Sequence, residues 1–318
     1  MRKHTPINHQ LTAAPHTISS TLWNLLLTMR PRQWIKNSFV FTALAFSEQR
    51  LWTQPMPVLQ TLAAFALFSL AASSIYLVND LVDIEKDRAH PKKCNRPLAS
   101  GKLSPAIAVS AAIGLIAFSL PLSYLLDPDG GFLLVLLAYI IVQGLLYSYF
   151  LKNIVILDIL TIAAGFVLRT LAGGAVLDVT ITPWLMVCMG LLAVFLGIGK
   201  RRHELMLLTH GAGEHRRILR EYSVPMLDQM VSIVTASIIM AYSMATFSAP
   251  AVPREPYPVL MSTIPFVVYG IFRYLYLIYQ RDAGGSPEEL VLKDLPLAAS
   301  IALWGISVLV LLFLFRSN

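Results

Sequence analysis

Apolar runs of about 20 residues recur along almost the whole chain, and that repetition constrains the fold more than any other feature. A hydrocarbon phase leaves backbone N–H and C=O groups no partner outside their own segment, so such runs cross as helices. Nine spans fit the sequence, at roughly 35–49, 57–80, 104–126, 130–149, 154–176, 183–205, 224–247, 257–279 and 294–315, the first being the shortest. Ser104-Pro105 and Thr182-Pro183 read as helix starts, and 127–131 and 249–258 as turn-rich connections. Only 14% of the residues are charged, against about 25% in a soluble domain. The predicted fold class is therefore an all-α, polytopic membrane protein of nine transmembrane helices.

Basic residues orient it. Of the 25 lysines and arginines, 20 fall in the N-terminal segment 1–36 and in 81–104, 150–153, 199–223 and 281–293. The positive-inside bias places these on the cytoplasmic side of an inner (plasma) membrane, with the N-terminus inside and Asn318 outside. The same bias accounts for the net charge of +7, which then argues for no nucleic-acid partner. Two cysteines, Cys94 and Cys188, make no disulfide framework and no metal spacing. Residues 1–20 are polar, lack a signal-peptide core and read as disordered; 21–318 read as a single domain. Thr21 to Met29 is too short to span and reads as a piece lying on the membrane surface.

The chemistry concentrates where the second span meets water, in NDLVDIEKDRAHPKKCNRPLASGK, Asn79 to Lys102. At about 100° per residue, one continued helix carries Asn79, Asp80, Asp83 and Asp87 within an arc of about 100°, with Tyr76 on that arc one turn deeper. Lys86, Arg88, Lys92, Lys93, Arg96 and Lys102 surround the acids. Oxygen ligands of this kind hold Mg²⁺, which bridges to substrate phosphates, and lysine and arginine complete a phosphate cage. The bland alternative is a solvated helix end with salt-bridged acids; carboxylates at a membrane border are costly unless used.

Two further clusters share that side. In GKRRHEL, Lys200, Arg201 and Glu204 fall on one helical face, against the alternative of an ordinary basic anchor; Arg202 and His203 read as solvated. Arg216, Arg217 and Arg220 read as electrostatic steering or lipid contacts. In YSYFLKNIVILD, Tyr147 to Asp158, Lys152 occupies a very short turn, where snorkelling is the alternative to a site role. Asp158 sits inside an apolar span and needs a partner: a metal, a substrate or Lys152. Arg169, about 16 Å deeper, either binds an anionic headgroup or pairs with Asp178. The chain has no GxxxxGK[ST], HExxH or GxSxG pattern.

At these residues the chain resembles the UbiA superfamily of intramembrane prenyltransferases. NDLVDIEKD matches the family's NDxxDxxxD, Arg96-Pro97 matches the RP that follows, and the nine-helix layout covers about 21–318. The resemblance implies a helical bundle around a central, cytoplasm-facing cavity. It also implies Mg²⁺ held by Asn79, Asp80, Asp83 and Asp87, the three aspartates being catalytic. Aromatic prenyltransferases of the superfamily carry a second aspartate-rich motif in the later loop, and GKRRHELMLL has none.

RPRQWIKN, DRAHPKKCNRPLASG, YSYFLKNIVILDI, GFVLRTLAGG and GKRRHEL instead resemble a branch that moves 5-phosphoribose from phosphoribosyl diphosphate (PRPP) to a polyprenyl phosphate, as a step toward cell-envelope sugar donors. That implies substrate contacts at Lys36, Tyr76, Lys86, Arg88, Arg96, Tyr147, Lys152, Asp158, Arg169, Lys200, Arg201 and Glu204. PRPP, the polyprenyl phosphate and the bilayer are then the partners, and self-association stays open. The competing readings are prenyl transfer to an aromatic acceptor, which needs the second acidic motif, and a transporter or lipid-binding protein, which would place the acids at the membrane midplane.

Overall fold

The structure is a computed structural model that describes residues 18–90, 93–209, 217–249, 252, 255–281, 290–291 and 293–315. Among them eight helices are long and apolar enough to cross a membrane, and the described residues contain no strand. Most of the expectation for residues 1–20 lies outside this range, but residues 18–20 already belong to a helix.

That helix, α1 (Ile18–Met29), carries exposed Ile18, Leu22 and Trp23 on one side and packs its other side on α3. The first expected span is irregular. A 3₁₀ segment, Pro31–Phe41, runs into the short α2 (Thr42–Phe46). A span that departs from the regular α-helix needs protein to pack against, and here the next helix, α3 (Pro55–Val82), provides one side of that packing. A stripe of serines on α3 receives it: Trp34 Nε1 donates to Ser73 Oγ at 3.0 Å, and Asn37 Nδ2 to Ser69 Oγ at 2.9 Å. Arg169 donates to Asn37 Oδ1 from the other side at 2.7 Å. Gly173 permits the approach, because a Cβ there would lie 1.9 Å from the Val40 carbonyl oxygen.

The remaining helices follow their caps. The short α4 (Ile84–Ala89) continues α3 after a break at Asp83. In α5 (Pro105–Leu126), Ser104 Oγ accepts from the Ile107 N–H and Pro105 opens the first turn. Next, α6 (Gly131–Tyr139) passes through a π-helical turn, Ile140–Leu146, into α7 (Tyr147–Tyr149). The chain then forms α8 (Leu157–Leu177), α9 (Pro183–Thr209), α10 (Val224–Ser248), α11 (Ile264–Gln280) and α12 (Leu295–Leu314).

Among the described residues four apolar clusters result, two of them large. One joins α3, α6 and α8 through Phe68, Phe132, Leu136 and Ala172; the other joins α9 to α12 through Phe195, Ile238, Ile271 and Leu297. Elsewhere α5 and α12 turn long apolar stretches outward, as helices facing lipid do. The protein is integral to a membrane. Among the described residues the helical bundle predicted from the apolar runs is the fold observed, its first expected span formed by a 3₁₀ segment and a short helix.

Candidate active site

The C-terminal end of α3 carries the acids where the apolar run gives out. Asp80 and Asp87 are buried and Asp83, at the break between α3 and α4, is partly exposed. Helical bonding continues across the break, Asp83 N–H to Asn79 O and Asp87 N–H to Asp83 O, so the expected common face survives.

Each acid meets a cation from another part of the chain. Asp80 Oδ1 accepts from Arg30 at 2.5 Å and from Arg96 at 3.0 Å, and Asp87 Oδ2 accepts from Arg96 at 2.7 Å. Asp83 Oδ1 lies 3.7 Å from the amines of both Lys86 and Lys152. The Asn79 amide oxygen accepts from Ser148 Oγ, which the π-helical turn and α7 deliver to this end. Arg30 has φ 55, and its guanidinium lies 5.0 Å from the Tyr76 ring centroid.

A second network lies beside the first. Asp158, in the first turn of α8, is fully buried and accepts from Arg201 Nε at 2.6 Å and from the Tyr222 hydroxyl at 2.7 Å. Arg201, also buried, donates to Glu204 at 2.6 Å. The partner of Asp158 is thus a residue pair from α9 and the following loop, not Lys152, one of the three candidates the sequence left open. Tyr147 lies within electrostatic reach of Arg201, and its neighbour Ser148 bonds Asn79, so α7 bridges the two networks. Burial, and then the bond to the Asp158 carboxylate, push the Tyr222 phenol above its ordinary range, so it remains a donor.

Not every expected residue joins these networks. Lys200 is exposed, away from its buried neighbour Arg201. Arg88 donates to Glu85 at 2.7 Å and to the Ala99 carbonyl at 3.2 Å, bracing the loop. Lys36 is half-buried on the 3₁₀ segment. Arg169 does not pair with Asp178. Besides Asn37 it donates to the Tyr139 hydroxyl at 2.8 Å, and the faces of Phe68, Tyr139 and Phe166 surround it. Arg202, expected to be solvated, is buried: Asp228 accepts from it at 2.7 Å, and the Tyr279 ring centroid lies 4.5 Å away. The packing of α10 and α11 against α9 covers it, which a single-helix wheel does not register. Lys92 and Arg216 lie outside the described residues.

Arg30, Ser148 and Tyr222 escaped the sequence reading. Arg30 opens RPRQWIKN and could have been weighed as a cation next to a span. Ser148 and Tyr222 carry no local signal.

Among the described residues no three acidic, histidine or cysteine side chains already converge as a metal cage. The donor chemistry of the α3 end, three carboxylates and an amide oxygen, nonetheless suits a hard cation. A cavity of about 270 Å³ lies at the opposite end of the bundle, bordered by Thr42, Glu48, Asp178 and Thr246, and is separate from both networks.

A helical membrane bundle with an NDxxDxxxD face at one helix end defines a class of intramembrane transferase. The UbiA prenyltransferase family model matches residues 38–290, and the chain belongs to that family. It is a transferase. It is 34% identical to a decaprenyl-phosphate phosphoribosyltransferase of Mycolicibacterium smegmatis over 93% of each chain. A protein of the same name from Corynebacterium glutamicum is 29% identical over 99% of each. Among solved structures, a UbiA homolog from Archaeoglobus fulgidus bound to GPP and Mg²⁺ superposes with a TM-score of 0.66 at 17% identity, covering 92% of this chain and all of that one.

Proposed function

We propose that this protein transfers 5-phosphoribose from PRPP to a polyprenyl phosphate of the decaprenyl type, releasing diphosphate. The observation that carries the reading is the meeting of acid and base at the α3 end: Arg30, Arg96, Lys86 and Lys152 all contact the Asp80, Asp83 and Asp87 carboxylates. A diphosphate entering here would find four cations, and as they turned to its oxygens the carboxylates would be freed for a metal. The names of the relatives support phosphoribosyl rather than prenyl transfer. So does GKRRHEL, where Arg201 and Glu204 stand in place of a second acidic motif.

Asn79, Asp83 and Asp87 would hold Mg²⁺, with Asp80 as a further ligand or as the group orienting Arg30 and Arg96. Bound there, Mg²⁺ would neutralise charge on the departing diphosphate. The ribose C1–O bond to diphosphate breaks with oxocarbenium character, and a bond forms from C1 to an oxygen of the acceptor phosphate. That oxygen is already anionic, so no strong general base is required. Catalysis is then positioning and electrostatics by this chain's own groups. Lys152, Lys86, Arg30 and Arg96 grip phosphates. Asp158 holds Arg201 in place, Glu204 orients Arg201 or a ribose hydroxyl, and Lys200 acts from the rim. The charged end faces the cytoplasm, where PRPP is made, and the acceptor's tail leaves sideways into the bilayer. The product would feed cell-envelope sugar donors.

The test is a substrate swap with the purified protein in detergent and Mg²⁺. Labelled PRPP with polyprenyl phosphate should give a labelled lipid, and polyprenyl diphosphate with 4-hydroxybenzoate should give none. Product in the second tube alone would replace this reading with aromatic prenylation. Product in neither would overturn both.

A further inference from the structure

We propose that Tyr222, in the loop between α9 and α10, is a positioning residue that holds the Lys152 turn against the acidic face. The proposal rests on the function just proposed and adds a residue to its machinery. The turn Leu151–Asn153 joins α7 to α8 and carries Lys152, whose amine reaches Asp83. Between that turn and α8 stands Ile156, with φ 71 and ψ −46. A β-branched residue is disfavoured at positive φ, because its Cβ crowds the backbone, and it stays there only where its surroundings hold it.

The Tyr222 hydroxyl supplies the hold. It accepts from the Ile156 N–H at 2.7 Å while donating to Asp158 Oδ1 at 2.7 Å. One oxygen thus ties the strained residue to the buried carboxylate two positions on, and Arg201 fixes that carboxylate from α9. The ring is itself buried, packed in the core that joins α9 to α12. A tyrosine serving only to fill that core would need no such pair of bonds. The chain of contacts runs from α9 through Asp158, Tyr222 and Ile156 to Lys152 and Asp83, so the later loop sets the position of a cation on the earlier one.

Tyr222→Phe removes the oxygen and keeps the ring. Two readouts decide the matter. Hydrogen exchange of the peptide spanning 150–158 should speed up in Tyr222→Phe while the α3 peptides stay protected. This readout needs no substrate, so it stands even if the wild-type protein fails to use PRPP and the function reading falls. In the PRPP assay, Tyr222→Phe should raise KM for the donor about tenfold with a smaller change in kcat. In a Lys152→Ala background the same substitution should raise it no further, whereas a general loosening of the fold would act equally in both. Ile156→Gly combined with Tyr222→Phe should recover part of the donor affinity, since glycine holds positive φ without strain. Unchanged exchange at 150–158, or a full Tyr222→Phe effect without Lys152, would overturn the proposal.

Discussion

Arg201 Nε meets Asp158 Oδ2 at 2.6 Å, with side-chain exposures of 2% and 0%. Two charges hidden this far from water are stable only as a pair. Asp158→Ala leaves the buried guanidinium with Glu204 but without its buried partner, and should cost roughly 3 kcal/mol, the lower end of the range for breaking a buried ion pair from one side. The double replacement Asp158→Leu with Arg201→Met should cost less than Asp158→Ala alone. Thermal unfolding in detergent measures both, and a double variant weaker than the single one would contradict the pairing argument.

Asp83 and Asp80 should separate chemistry from folding. Asp83 is partly exposed and its two cations stand at 3.7 Å, so Asp83→Ala removes contacts worth at most about 1 kcal/mol. The variant should insert and melt normally while losing more than about a hundredfold of Mg²⁺-supported turnover. Asp80 is buried beneath two guanidinium groups, so Asp80→Ala should lose turnover and lower the melting temperature as well. Near-normal turnover in Asp83→Ala would remove it from the metal site.

The two lysines should differ in degree. Lys152→Ala should weaken use of PRPP about tenfold, equivalent to about 1.4 kcal/mol. Lys200 is exposed, and Lys200→Ala should weaken donor use by a smaller factor, one that shrinks as salt rises. A donor titration at two ionic strengths checks this, and an unchanged titration for Lys200→Ala would take that residue out of the site.

Gly173 is irreplaceable for a steric reason. An alanine methyl would lie 1.9 Å from a backbone oxygen, which cannot swing aside as a side chain can. Gly173→Ala should destabilise by the upper end of the ~1–3 kcal/mol typical of overpacking, or block folding. At Gly144 the nearest atom is Ile75 Cγ1 at 3.3 Å, so Gly144→Ala should be mild. The yield of monodisperse protein in detergent distinguishes them.

Helix count and placement were legible because a membrane span is a local property: about 20 apolar residues, read with no knowledge of neighbours. The first span was legible as apolar but not as irregular. Its 3₁₀ course depends on Ser69, Ser73 and Arg169, remote in sequence, to receive Trp34 and Asn37. The acidic face was equally legible, since i, i+1, i+4 and i+8 spacing acts within one helix.

Partners were another matter. Nothing near Asp158 names Arg201, 43 residues on, or Tyr222, 64 residues on. Arg202 looked solvated until α10 and α11 closed over it. From the sequence alone came the membrane-spanning helices, the oxygen-rich end of α3 and the excess of basic residues on one side. Each follows from short-range periodicity or composition. Which cation meets which acid, where Ile156 is held and why Gly173 must be glycine came only with the tertiary structure. Those contacts join positions far apart in the chain, and packing in three dimensions alone brings them within the few ångströms over which a hydrogen bond or a steric clash acts.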